Sequence, residues 1–156
     1  MKESVKMSIS LRLWFQLISI LRKSGKGSQE SGAVLLGRYN TSRVLRCISL
    51  EEFDPNCLTN GFISFHSDGY VKLWKYCKEN NLVVLADVHT HPSSWTSQST
   101  TDIRNPFVST LGHVAIIVPN YALSRFQLKP GVGFYEYDGN FEWTTLPHNM
   151  IKFTVL

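Results

Sequence analysis

Apolar and polar positions alternate in short runs along this chain, and twice the period lengthens to that of a helix. Val5, Met7 and Ile9 alternate with Lys6, Ser8 and Ser10, the period-two pattern of a short strand. Ser10 can then cap a helix running to about Lys23, with Leu13, Trp14, Leu17, Ile18 and Leu21 forming a core-packing stripe. Lys23 to Gln29 predicts a flexible turn. Val34 to Leu36 predicts a buried strand, and Gly37 marks a close backbone approach or a bulge. Val44 to Leu50 predicts a second strand, and Asp54-Pro55-Asn56 a loop. Phe62, Ser64 and His66 alternate with Ile63 and Phe65, which predicts another strand. Ser67 or Asp68 can cap a helix from Tyr70 to Glu79, ended by Asn80-Asn81.

The second half repeats the scheme. Val83 to Leu85 reads as a buried strand whose continuation carries His89 and His91 before Pro92, which has no N–H for a ladder. Ser99 can cap a short helical turn, and Asn105-Pro106 looks like a fresh helix start. Val114 to Val118 predicts a strand closed by Pro119-Asn120. Val132 to Tyr137 and Phe141 to Thr145 predict a hairpin through the turn Asp138-Gly139. No repeat, linker or low-complexity segment interrupts the pattern. The fold class is α/β: a single domain over residues 1–156, with a mixed sheet of about six to eight strands packed by helices.

Composition narrows the class. A chain of 156 residues with 43% hydrophobic and 18% charged residues suits one domain with a sizeable core. The apolar stretch Leu11 to Leu21 is broken by Arg12, Gln16 and Ser19, so we expect a core helix there and neither a signal peptide nor a membrane span. Cys47, Cys57 and Cys77 form no Cys-x-x-Cys pair, which argues against a disulfide frame or a thiolate zinc site and for a cytoplasmic location. The net charge of +4 is scattered apart from Arg22-Lys23 and Lys26, without the aromatic interleaving of a single-strand binder. Nucleic-acid and membrane partners are therefore not expected.

The chemistry concentrates between Val83 and Asp102. Side chains two apart on a strand point to one face, so His89 and His91 can converge on one small object. Asp102 returns a carboxylate. Two imidazoles and one carboxylate make a three-ligand zinc site with the fourth position left for water, the catalytic pattern. Such a zinc lowers the pKa of bound water towards roughly 7. Hydrolysis also needs a base, and Glu30, just ahead of a buried strand, is the candidate. A donor to the developing oxyanion is needed too, and Ser99 can supply a hydroxyl. Each has a plainer reading: Asp102 as the charge at a helix N-terminus, Ser99 as its cap, Glu30 as a solvated loop charge. His66, His113 and His148 are expected to be structural. Trp95, in the loop between the ligands, is expected to flank a groove for the substrate tail.

Glu30, His89-x-His91-Pro92 and Ser99-x-x-Asp102, with ten residues between His91 and Asp102, resemble the signature of the JAMM (MPN-plus) metalloproteases. Glu30-Ser31-Gly32 leading into Leu35-Leu36-Gly37, and Gly112 to Pro119, also look like strands of that family's short stand-alone bacterial type. Ala33 and Gln98 depart from the common pattern there, and neither change removes a chemical group. The resemblance implies the JAMM fold, with layering like that of cytidine deaminases. It implies one Zn2+ per chain on His89, His91 and Asp102, Glu30 as general acid/base and Ser99 as oxyanion donor. It implies a zinc isopeptidase that cleaves after the C-terminal glycine of a ubiquitin-like protein, either from conjugates or from a precursor. The setting implied is a bacterial anti-phage pathway whose activating and conjugating enzymes would be partners. The alternatives are a zinc peptidase acting on a sulfur-carrier protein or a cell-wall peptide, and a metal-free MPN scaffold.

Overall fold

A computed structural model describes residues 4–59 and 61–155. The chain runs β1 (Met7–Ser10), α1 (Leu11–Gly25), β2 (Gly32–Gly37), β3 (Arg46–Ser49), β4 (Leu58–Thr59), β5 (Phe62–Ile63) and α2 (Ser67–Asn80). It continues through β6 (Val83–Thr90), α3 (Thr100–Arg104), β7 (Val114–Val118), β8 (Gly133–Gly139), β9 (Glu142–Thr145) and β10 (Ile151–Thr154). Six strands form the central sheet in the order β3-β2-β6-β7-β8-β9. Only β6 and β7 pair in parallel within it; the other pairs are antiparallel. The single-domain mixed sheet packed by helices predicted above is the architecture found.

Helices cover both faces of this sheet. The α1 stripe of Trp14, Leu17, Ile18 and Leu21 is fully buried against Ala33, Leu35, Ala86, Val88 and Ile116. On the other face Leu73 and Cys77 of α2 pack with Val34, Leu36, Leu50 and Phe53. Strand β2 is therefore buried on both sides, which is why its apolar run is unbroken rather than alternating. Ser10 caps α1 as predicted, its side chain accepting from the Leu13 N–H at 3.1 Å. The small parallel pair β1–β10 joins the two ends of the described chain. Among the described residues no helix is long and apolar enough to cross a membrane.

One irregularity sets the orientation of the site. The β2–β6 register shifts between Leu35 and Leu36, so that Leu35 faces Ala86 while Leu36 faces Val84. Leu85 is the extra residue of a bulge. Beyond it Asp87 lies opposite Val34 and His89 opposite Gly32, which puts both on the α2 side of the sheet. Gly37 sits beside this bulge, and a Cβ there would run into the Arg43 carbonyl and the Leu85 side chain. That is the close approach its glycine predicted.

Several predicted elements are corrected. The strand expected from Phe62 to His66 is only the two-residue β5, because Asp54 takes the next residues out of the ladder. Its Oδ2 accepts from the His66 N–H at 2.9 Å and meets the ring Nδ1 at 2.7 Å. His66 thereby becomes the cap residue of α2, and Ser67 and Asp68 fall inside the first turn. No helix starts at Asn105-Pro106. Asn105 instead closes α3 at φ −127° and ψ 66°, since a residue before proline is pushed out of the helical region. The hairpin turn lies two residues later than Asp138-Gly139. Asn140 and Phe141 are its centre, with φ 51° and 58°, the positive pair a primed turn requires. Helix α1 also runs to Gly25, so the turn predicted from Lys23 begins at Lys26.

Gly37→Ala should therefore lower unfolding stability by about 1–3 kcal/mol, the usual range for forced overpacking. Urea unfolding followed by circular dichroism checks this; a midpoint equal to the wild type would show that the β2–β6 bulge has room to spare.

Candidate metal centre

Strand β6 carries His89, and the ladder runs one residue further than the strand: the His91 N–H donates to the Val118 carbonyl at 2.9 Å. Both imidazoles therefore stay on one side, as the two-residue spacing predicts, and their Nε2 atoms are 3.3 Å apart. Thr90, between them, points the other way and is fully buried. Helix α3 brings the carboxylate. Ser99 Oγ accepts from the Asp102 N–H at 3.0 Å, and Asp102 Oδ2 accepts from the Ser99 N–H at 2.8 Å, a complete capping box. Asp102 Oδ1 lies 3.2 Å from His89 Nε2, and Oδ2 3.1 Å from His91 Nε2. The plainer reading of Ser99 and Asp102 as cap and helix-end charge thus holds together with the chemical one.

A tetrahedral zinc with bonds of about 2.0–2.1 Å keeps its ligand atoms about 3.3 Å apart. The two imidazole Nε2 atoms, 3.3 Å apart, fit that requirement, and each faces its own Asp102 oxygen, Oδ1 at 3.2 Å from His89 and Oδ2 at 3.1 Å from His91. Among the described residues this is the group of histidine, cysteine and acidic side chains placed to hold a metal ion. One nitrogen of His91 is fixed by its surroundings. Its Nδ1 lies 3.0 Å from the Trp95 carbonyl, which can only accept, so Nδ1 carries a hydrogen and Nε2 is the nitrogen turned to the other candidate ligands. The Trp95 ring stacks on the same imidazole, centroids 5.5 Å apart and planes 18° from parallel.

Charge within the cluster follows from its packing. Burial alone would raise the Asp102 carboxyl, but hydrogen bonds from His89, His91 and the Ser99 N–H outweigh it and hold the group well below the carboxylate range. Burial would lower His91, yet Asp102, the Trp95 carbonyl and Glu30 raise it above the usual imidazole value. Glu30 is half-buried beside the cluster. Burial pushes its carboxyl up, His89 and His91 pull it down, and Asp102 pushes it up again, with a net rise. The structure thus brings Glu30 into the field of all three candidate ligands. A raised carboxyl suits a group that must both accept and return a proton.

Two buried side chains hold Glu30 to the histidines. The Ser31 N–H donates to Thr90 Oγ1, and the Thr90 N–H to the Ser31 carbonyl, both at 3.0 Å. Ser31 Oγ donates in turn to the Leu21 carbonyl at 2.7 Å, tying this clasp to α1. The residue after Glu30 is thus fastened to the residue between the histidines. Sequence reasoning passes over this clasp, because neither Ser31 nor Thr90 is remarkable in type; only the strand pairing makes them neighbours. The other histidines have structural partners. His113 meets Asp87 at 2.6 Å, His66 meets Asp54 at 2.7 Å, and His148 meets the Val132 carbonyl at 3.0 Å.

Among the described residues, fold and donor set together give an α/β domain with one candidate ion site on the α2 side of its sheet. Prokaryotic homologs of the JAB domain match residues 17–129, and this chain belongs to that family. It is 31% identical over 77 residues to a protein named probable metalloprotease y4jG from Sinorhizobium fredii. That match takes in 49% of this chain and 45% of the relative, just under half its length. Solved structures agree on the fold. A Desulfitobacterium hafniense protein superposes with a TM-score of 0.65 at 18% identity, covering 95% of this chain and 92% of that one. A JAB1/MPN domain protein from Archaeoglobus fulgidus gives 0.51 at 20% identity, covering 95% and 97%. A structure described as a JAMM metalloprotease-like zinc site in the proteasome and signalosome gives 0.51 at 18%, with the same coverage.

Thr90→Val keeps the shape of the buried clasp but removes the Oγ1 that accepts from the Ser31 N–H. It should cost about 1–3 kcal/mol of stability, the cost of an orphaned buried donor. Thermal or urea unfolding of the apo-protein reads this directly, and an unchanged midpoint would mean the clasp is dispensable.

Proposed function

We propose that this chain is a zinc-dependent isopeptidase acting after the C-terminal glycine of a ubiquitin-like protein, freeing it from targets or trimming its precursor. The observation that carries the reading is the meeting of His89, His91 and Asp102, one donor atom of each within 4.8 Å of the others, with Glu30 in their field. Membership in the JAB family and a relative named as a metalloprotease support the hydrolytic class. The ubiquitin-like substrate follows from the JAMM signature Glu30, His89-x-His91-Pro92, Ser99-x-x-Asp102.

Each residue then has a task. His89, His91 and Asp102 would hold the zinc, which when bound would supply the Lewis acidity that lets water act as a nucleophile near neutral pH. Glu30 takes the proton released as water attacks and delivers it to the departing amine. Ser99 accepts from the Asp102 N–H through its oxygen and still has its hydroxyl hydrogen to give to the oxyanion. The modifier tail lies extended as an added strand against a sheet edge. Trp95, 55% exposed and stacked on His91, stands at the rim where that tail enters. A bacterial conjugation pathway in the cytoplasm, with its activating and conjugating enzymes, is the setting.

A linear fusion of a small β-grasp modifier to a reporter, cut at the modifier's terminal glycine, tests this. Glu30→Gln should lower kcat about 10²- to 10⁴-fold, the usual contribution of a general acid/base, with the metal content unchanged. Full turnover in that variant would refute the mechanism. Cleavage of unrelated peptides but of no β-grasp fusion would refute the substrate. Trp95→Ala should raise KM for the fusion, and an unaltered KM would remove Trp95 from the groove.

A further inference from the structure

The main chain around His91 is clamped on the side of β7. The His91 N–H donates to the Val118 carbonyl, its carbonyl accepts from the Tyr121 N–H at 2.9 Å, and the Ser93 carbonyl accepts from the Asn120 N–H at 3.0 Å. Asn120, Tyr121 and Ala122 all take positive φ, 54°, 54° and 57°, to make this clamp. Such a turn is costly for residues with side chains, so the contact it serves is tightly specified. The clamp fixes the backbone but not the rotation of the imidazole.

Rotation is set by the loop 92–98, which folds back over the ring. The Trp95 carbonyl takes the Nδ1 hydrogen and the Trp95 indole lies along the ring face. This loop is in turn seated on β8. Tyr135 Oη donates to the Thr96 carbonyl at 2.6 Å, and Thr96 Oγ1 donates to the Gly131 carbonyl at 2.9 Å. Gly133 makes the approach possible, since a Cβ there would lie 2.5 Å from the Thr96 carbonyl and 2.7 Å from the Tyr135 hydroxyl. Two successive carbonyls of the loop are thus held at opposite ends, one by β8 and the next by the candidate ligand.

We propose that Tyr135 is a positioning residue for the metal centre, its hydroxyl holding the 92–98 loop so that Trp95 fixes the rotation and tautomer of His91. The inference rests on the zinc reading given above, and goes beyond it by assigning a role to a residue outside the motif. Supports of this kind are worth about 10- to 100-fold in metal affinity when they touch the ligand directly. Tyr135 acts through two intervening residues, Thr96 and Trp95.

The test compares wild type, Tyr135→Phe and Thr96→Val by zinc titration against a chromophoric chelator, by the visible absorption of the cobalt(II) forms, and by urea unfolding of the apo-proteins. Tyr135→Phe removes one oxygen and leaves the ring in place; Thr96→Val removes the loop's second tie at a position outside the core. Both should weaken zinc roughly tenfold and alter the cobalt bands, with apo-protein midpoints close to wild type. Wild-type affinity and an unchanged cobalt spectrum in a folded Tyr135→Phe would overturn the proposal, whatever Thr96→Val shows. If Tyr135→Phe fails to fold, Tyr135→Leu, which also lacks the hydroxyl, decides by the same two readouts. A wild type that takes up no zinc would instead sink the zinc reading beneath it, so the two failures are told apart.

Discussion

Two imidazole nitrogens and a carboxylate stand within 3.1–3.3 Å of one another in a place mostly closed to water. Crowding of that kind is held by positive charge, either protons shared between the imidazoles and the carboxylate or a metal ion in their place, and without it costs the fold free energy. Asp102 eases the cost by belonging to a helix end as well. Its carboxylate accepts from the Ser99 N–H while facing both histidines, so a five-residue helix is enough to hold it. One side chain thus joins a local structural need to a chemical one.

The rest of the framework brings separate parts of the chain to that point. The parallel pairing of β6 with β7 carries His91 past the end of its own strand. The bulge at Leu85 puts His89 on the α2 side rather than in the α1 core. The Ser31–Thr90 clasp brings Glu30, from the start of β2, beside the histidines of β6. These contacts are mostly backbone hydrogen bonds between rigid elements, the kind of support that holds reacting groups within a fraction of an ångström.

Much of this was legible in the residues alone, where the signal was local. The helical stripe located α1, unbroken apolar runs located β2 and β7, a turn dipeptide between apolar runs located the β8–β9 hairpin, and the His-x-His spacing placed both rings on one face. The readings that failed were those where one local signal competed with a neighbouring or a distant one. Asp54 turned the predicted end of the Phe62–His66 strand into a helix cap. Pro106 ended a helix where Asn105-Pro106 had promised the start of one. Asn140-Phe141 took the turn from Asp138-Gly139 because the register slips between Tyr137 and Gly139. The supports of the site, Thr90, Tyr135 and the Trp95 carbonyl, leave no mark in a linear pattern, since a carbonyl belongs to every residue and a buried tyrosine reads as core.

The central claim is that one ion joins two strand-borne imidazoles to a helix-capping carboxylate. Anomalous diffraction from crystals of the zinc-loaded protein, collected on either side of the zinc absorption edge, tests it most directly. The account predicts a single strong peak about 2.0–2.1 Å from His89 Nε2, His91 Nε2 and an Asp102 oxygen. A peak bound elsewhere, or none at that point at full zinc loading, would contradict it.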